Sequence, residues 1–153
     1  MDIFQVPRRE APARILLDDG RVLEGQLYLA VAGHDGRPET VGERLNDAGE
    51  EFLPMACGPD RFLLNKSGII TVTVPDEHDA VHEDEGNGAR ETAVRVSLAG
   101  GLSLIGRLHI AMPVERSRVL DYLNAAPRFL PLHAPGGVTL VHRRFIVSVR
   151  SDD

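Results

Sequence analysis

Two stretches decide the organisation of the chain: RILLDDGRVLEGQLYLA (Arg14–Ala30) and RVSLAGGLSLIGRLHIA (Arg95–Ala111). They align without a gap. Arg14, Leu17, Gly20, Leu23, Gly25, Leu27 and Ala30 meet Arg95, Leu98, Gly101, Leu104, Gly106, Leu108 and Ala111. Further matches follow in the same order. Leu45-Asn46 meets Leu123-Asn124, after a longer spacer in the first copy. Phe52-Leu53-Pro54 meets Phe129-Leu130-Pro131, and LLNKSGIITV (Leu63–Val72) meets LVHRRFIVSV (Leu140–Val149). A set of blocks repeated in one order predicts two like units. They occupy residues 13–75 and 92–150, with an N-terminal arm at 1–12 and a linker at 76–91.

Each unit reads as strands. Apolar and polar residues alternate in Arg14–Leu17 and in Val94–Leu98, the period of a half-buried strand. Asp18-Asp19-Gly20 and Ala99-Gly100-Gly101 are turn chemistry, so each unit opens with a hairpin. Gly25 and Gly106 fall inside the second strand, where a glycine marks a bend or a close backbone approach. FLPM and FLPL form a third strand, with Phe52 and Phe129 as core anchors. The last two strands are Phe62–Lys66 with Ile69–Val74, and Val138–His142 with Phe145–Val149. Val119, Leu120 and Leu123 have helical spacing, which predicts a short helix before Asn124. The same region of the first copy starts as a Gly/Pro loop and is expected to make a single turn. The fold class is therefore all-β with short helical turns.

Composition narrows the function. The chain has 153 residues, 42% hydrophobic and 26% charged, which suits a soluble globular protein. No apolar run reaches the roughly 20 residues of a membrane span. The start, MDIFQVPRRE, lacks a secretory leader pattern, and the single cysteine, Cys57, fits a reducing compartment. A cytoplasmic location is expected. Charge is uneven. Residues 1–75 hold eight Lys/Arg against twelve Asp/Glu, a net −4, and residues 92–153 hold eight Arg against four acids, a net +4. The linker between them carries seven acids and one Arg, and reads as a solvated, flexible tether.

Short strands with the pattern V-x-L-x-x-G-x-x-L-x-G-x-L, closing on an apolar–basic–apolar strand pair, resemble the Sm-like small barrels. RVSLAGGLSLIGRLHI is similar to the first Sm signature, and LVHRRFIVSV and LLNKSGIITV to the second. The likeness is to LSm/Hfq-type proteins, and nearest to a bacterial Sm-like family. It implies two tandem five-stranded SH3-like barrels. It also implies a base pocket made by an Asn after the second strand and a basic residue before the last. By position these are Asn46 with Lys66, and Asn124 with Arg143, beside which stands Arg144.

The chain has no Gly-x-Ser-x-Gly, no phosphate loop and no dinucleotide-binding glycine pattern, so no catalytic residue is assigned. His109, His133 and His142 read as scattered strand residues. His78 and His82 stand four apart among acids, but no helix signal or cysteine supports a metal set, and neither metal nor cofactor is expected. Asn46 and Asn124 have a structural reading as well, each ending a helical turn in a left-handed conformation. The expected function is a non-catalytic interaction or assembly module with a protein partner or a copy of itself. Small barrels expose strand edges, so pairing within the chain or in a homo-oligomer is expected, including a ring of alternating copies. The alternative is RNA or single-stranded nucleic-acid binding through the basic second copy.

Overall fold

Residues 7–82, 89–111 and 118–151 are described by the computed structural model of the chain. The first half runs β1 (Arg8–Leu17), β2 (Val22–Ala30), α1 (Val41–Asn46), β3 (Phe52–Cys57), β4 (Asp60–Asn65) and β5 (Ile69–Val74), with a 3₁₀ turn at Lys66–Gly68. A short helix α2 (Glu77–Ala80) follows. The second half runs β6 (Arg90–Leu98), β7 (Ser103–Ile110), α3 (Val119–Ala125), β8 (Phe129–Ala134), β9 (Gly137–His142) and β10 (Ile146–Ser151), with a 3₁₀ turn at Arg143–Phe145.

The ten strands form one antiparallel sheet in the order β10-β6-β7-β8-β9-β5-β1-β2-β3-β4. The fold is all-β, and the strands of the two like units join edge to edge in this one open sheet. The join is β5 on β9, and the reason lies in the composition of β5. Its sequence IITVTV is buried along nearly its whole length. Ile69, Val72 and Val74 enter one core and Ile70 enters another. A strand with side chains buried on both faces belongs in the middle of a sheet, not at its rim.

The aligned residues take the same ladder positions in both halves. Ala13 opposite Gly25 corresponds to Val94 opposite Gly106. Ile15 opposite Val72 corresponds to Val96 opposite Val149, and both ladders shift register one step later. The strand glycines mark close approach, as their placement predicts. A Cβ on Gly25 would fall on the Ala56 carbonyl oxygen, and one on Gly106 would lie 2.7 Å from the His133 carbonyl oxygen. That is tighter than real Cβ contacts, so each glycine lets the second strand press onto the third.

The termini of the units extend further than the sequence suggests. Residues 8–12, assigned to the arm, lie in β1, because Ala11 and Ala13 continue its alternation and are buried. The described residues of the linker are structured: Glu77–Ala80 form α2, and Arg90 and Glu91 belong to β6. Asp76 caps α2, Ala80 is buried, and Arg9 pairs with Asp79 at 2.5 Å. The most acidic stretch, residues 83–88, lies outside the described residues. Helix α1 is longer than the expected single turn. Thr40 and Glu43 form a reciprocal capping box that the sequence shows as T-V-G-E. No helix among the described residues is long and apolar enough to cross a membrane.

Candidate functional site at the sheet joint and its free edges

Pairing of β5 with β9 sets Thr71 opposite Val141, Val72 opposite Leu140, Thr73 opposite Thr139 and Val74 opposite Val138. The Thr73 and Thr139 hydroxyls lie 3.2 Å apart. Each half lends side chains to the other's core. Phe129, Val138 and Leu140 are buried with the residues of the first half, and Ile70 with those of the second.

Polar groups lock the joint. Asn46, the last residue of α1, grips the backbone of Phe129 at both ends. Its Nδ2 donates to the Phe129 carbonyl at 3.0 Å, and the Phe129 N–H donates to its Oδ1 at 2.8 Å. The carboxamide thus stands in for one residue of a neighbouring strand. Arg128 donates to both oxygens of Glu51, at 3.0 and 2.9 Å. That fork, helped by the Ser67 hydroxyl, holds the Glu51 carboxyl down at about 2 from an ordinary 4.5. His142 is buried against Phe129, with ring centroids 4.4 Å apart. Its Nδ1 lies 2.8 Å from the Ile69 carbonyl, and Arg128 Nε donates to its Nε2 at 3.3 Å. One nitrogen must carry a proton and the other must accept one, so the ring is neutral. Burial pushes its pKa below the ordinary 6.5.

The residues of the implied base pocket are used differently. Lys66 is wholly buried, and its Nζ donates to the carbonyls of Arg44 at 2.8 Å and Asp47 at 3.1 Å. Burial pushes its pKa down. It closes the carbonyl end of α1, where a cation also complements the helix dipole. Its positional mate Arg143 donates to the carbonyl of Ala126, the residue after α3. Arg144 is exposed and reaches the Ser67 carbonyl at 3.5 Å. Four of the five residues, Asn46, Lys66, Arg143 and Arg144, therefore bond backbone groups. Asn124 is exposed, and its side chain makes no hydrogen bond to the described residues. Neither asparagine is left-handed, since among the described residues only glycines have positive φ.

The two outermost strands, β4 and β10, have one neighbour each. Large apolar side chains are exposed on β4, on its neighbour β3, on β10 and on α3: Leu63 at 73%, Phe52 at 54%, Val147 at 70% and Leu120 at 60%. Phe52 is thus not the core anchor that its mate Phe129 is. Sequence reasoning also missed a histidine pair. His109 and His133 stack with centroids 3.6 Å apart, and burial lowers the His133 pKa. Arg107 opposite His133 in the β7–β8 register carries that signal, because it brings His109 alongside. In the His78/His82 spacing, His82 Nε2 lies 2.7 Å from Glu43 Oε1. Comparison with protein-family models, curated proteins and solved structures finds no match to this chain.

Proposed function

We propose that the chain is a non-catalytic interaction module, built from two small barrels of the Sm-like, SH3-like kind, that docks protein along its free strand edges. The β5–β9 joint carries the reading. One half already receives the other through strand edges, and β10 and β4 remain with a single neighbour each. An unpaired edge offers a row of N–H and C=O groups to an added strand, and flanking apolar side chains supply affinity. The barrel reading is supported by the like strand order of the halves and by the glycines that press β2 onto β3 and β7 onto β8. Asn46, Lys66 and Arg143 bond backbone groups of this same molecule, which weighs against their forming a base pocket and favours docking over nucleic-acid binding.

Affinity capture tests the reading with the whole chain and with the double variant Leu63→Glu, Val147→Glu. Both positions are exposed, so the variant is expected to fold. A protein partner held by the native chain and lost from the variant is the expected result. Equal retention by both sinks the proposal.

A further inference from the structure

We propose that Asp35, Glu43 and His82 form a binding site for a divalent transition-metal ion of the zinc class. One ligand atom from each of the three lies within 4.8 Å of the other two. Ligands held about 2.0 Å from a single ion stand roughly 3 to 4 Å apart, so a small closure brings this set onto a metal.

The residues come from three separate segments: Asp35 from the loop between β2 and α1, Glu43 from the first turn of α1, and His82 from just past α2. Each is positioned by its own neighbours. Asp35 accepts twice from Arg37, whose backbone N–H donates to Oδ1 at 3.0 Å and whose Nε donates to Oδ2 at 2.7 Å. That fixes the plane of the carboxylate and leaves each oxygen a lone pair for an ion. Glu43 is held by the capping box through Oε1, to which the Thr40 N–H donates at 3.1 Å. Its Oε2 takes no hydrogen bond from the described residues. His82 reaches Glu43 because the end of α2 packs closely on α1. A Cβ on Gly42 would lie 3.0 Å from the Ala80 carbonyl oxygen and 3.6 Å from the Val81 side chain. A glycine there lets the chain past α2 approach until His82 Nε2 lies 2.7 Å from Glu43 Oε1.

The chemistry of the set selects the ion. The His82 side chain is 11% exposed, so its ring gives up little hydration on ligation. Its Nδ1 makes no hydrogen bond to the described residues, so the ring proton can sit there and leave the Nε2 lone pair for a cation. Arg37 offsets one of the two carboxylate charges, and the second remains for the ion. One imidazole with two carboxylates suits zinc and its neighbours. Calcium takes about six to eight oxygens, and magnesium keeps most of its water. Three protein ligands leave a position for water, as in open zinc sites. The ion would tie the loop, the helix and the chain past α2 into one body, and so fix where the linker leaves the first unit.

Isothermal titration of zinc into the untagged, chelator-treated full chain tests the proposal. One ion per chain is expected, with a melting temperature that rises with zinc concentration, since the ion binds the folded chain. His82→Ala and Asp35→Asn should each weaken binding by about tenfold or more, with an unchanged circular dichroism spectrum. Glu43→Gln is the sharper variant, because glutamine keeps the capping box and removes only the charge. It should fold and lose affinity to the same degree, and it decides alone if either of the other two misfolds. His78→Ala should bind as the native chain does. X-ray absorption of the zinc-loaded chain should show a single imidazole among oxygen neighbours and no sulfur. Absence of zinc binding overturns the proposal. So does binding that the ligand variants leave intact, which would place the ion elsewhere. Displacement of zinc by a modest excess of magnesium would overturn it too, since that behaviour marks an acidic surface without a nitrogen ligand.

Discussion

Asn46 and Asn124 carry the same side chain in aligned positions, yet among the described residues only the Asn46 side chain has a hydrogen-bond partner. Asn46→Ala leaves the N–H and C=O of buried Phe129 without their side-chain partner. A loss of about 2 kcal/mol is expected from urea unfolding, the scale of stranding buried polar groups. Asn124→Ala should change stability by no more than about 0.5 kcal/mol. Similar losses at both positions would contradict the assignment. The repeat made both asparagines visible in the sequence, and the position at the end of a helical turn was also legible. The partner was not. Asn46 and Phe129 are 83 residues apart, and their contact depends on how the halves pack rather than on any local pattern. Lys66 was hidden for a different reason. Its burial follows from the carbonyls it caps, and a sequence does not show which charges will find such partners.

At the level of the strand, β9 carries its own acid sensitivity. His142 sits neutral within it, and burial also depresses His133 on β8. A lowered histidine pKa gives stability that is complete above the unfolded value. As pH falls below 6.5 the unfolded chain takes up protons that the folded one refuses, and stability drops. Urea midpoints measured from neutral into mildly acidic buffer should decline. His142→Asn, the residue found at the aligned Asn65, should flatten that decline. An unchanged slope would show that His142 does not contribute. Glu51 acts in a lower window, because its lowered pKa adds stability above 4.5 that is lost as pH falls toward 2. The strands themselves were mostly legible through alternation and turn residues. What alternation concealed was the fate of β5: its run of Ile and Val fits a buried strand but does not name the neighbour that buries it.

For the whole molecule, shared cores imply shared unfolding. The first core contains Phe129, Val138 and Leu140, and the second contains Ile70, so neither half can lose its structure without uncovering the other. Calorimetry of the chain should show one cooperative transition with equal calorimetric and van't Hoff enthalpies. Two resolved transitions would mean that the halves are energetically independent. The same lending of side chains bears on the order in which the protein is made. Residues that complete the first core arrive last from the ribosome, after β5 has already emerged. Until β9 follows, the nascent first half presents Ile69, Val72 and Val74 beside an unfilled gap, and its safest course is to stay uncommitted. In a crowded polysome that gap fits β9 of a neighbouring chain as well as its own, so synthesis itself is a moment at which two chains can exchange halves.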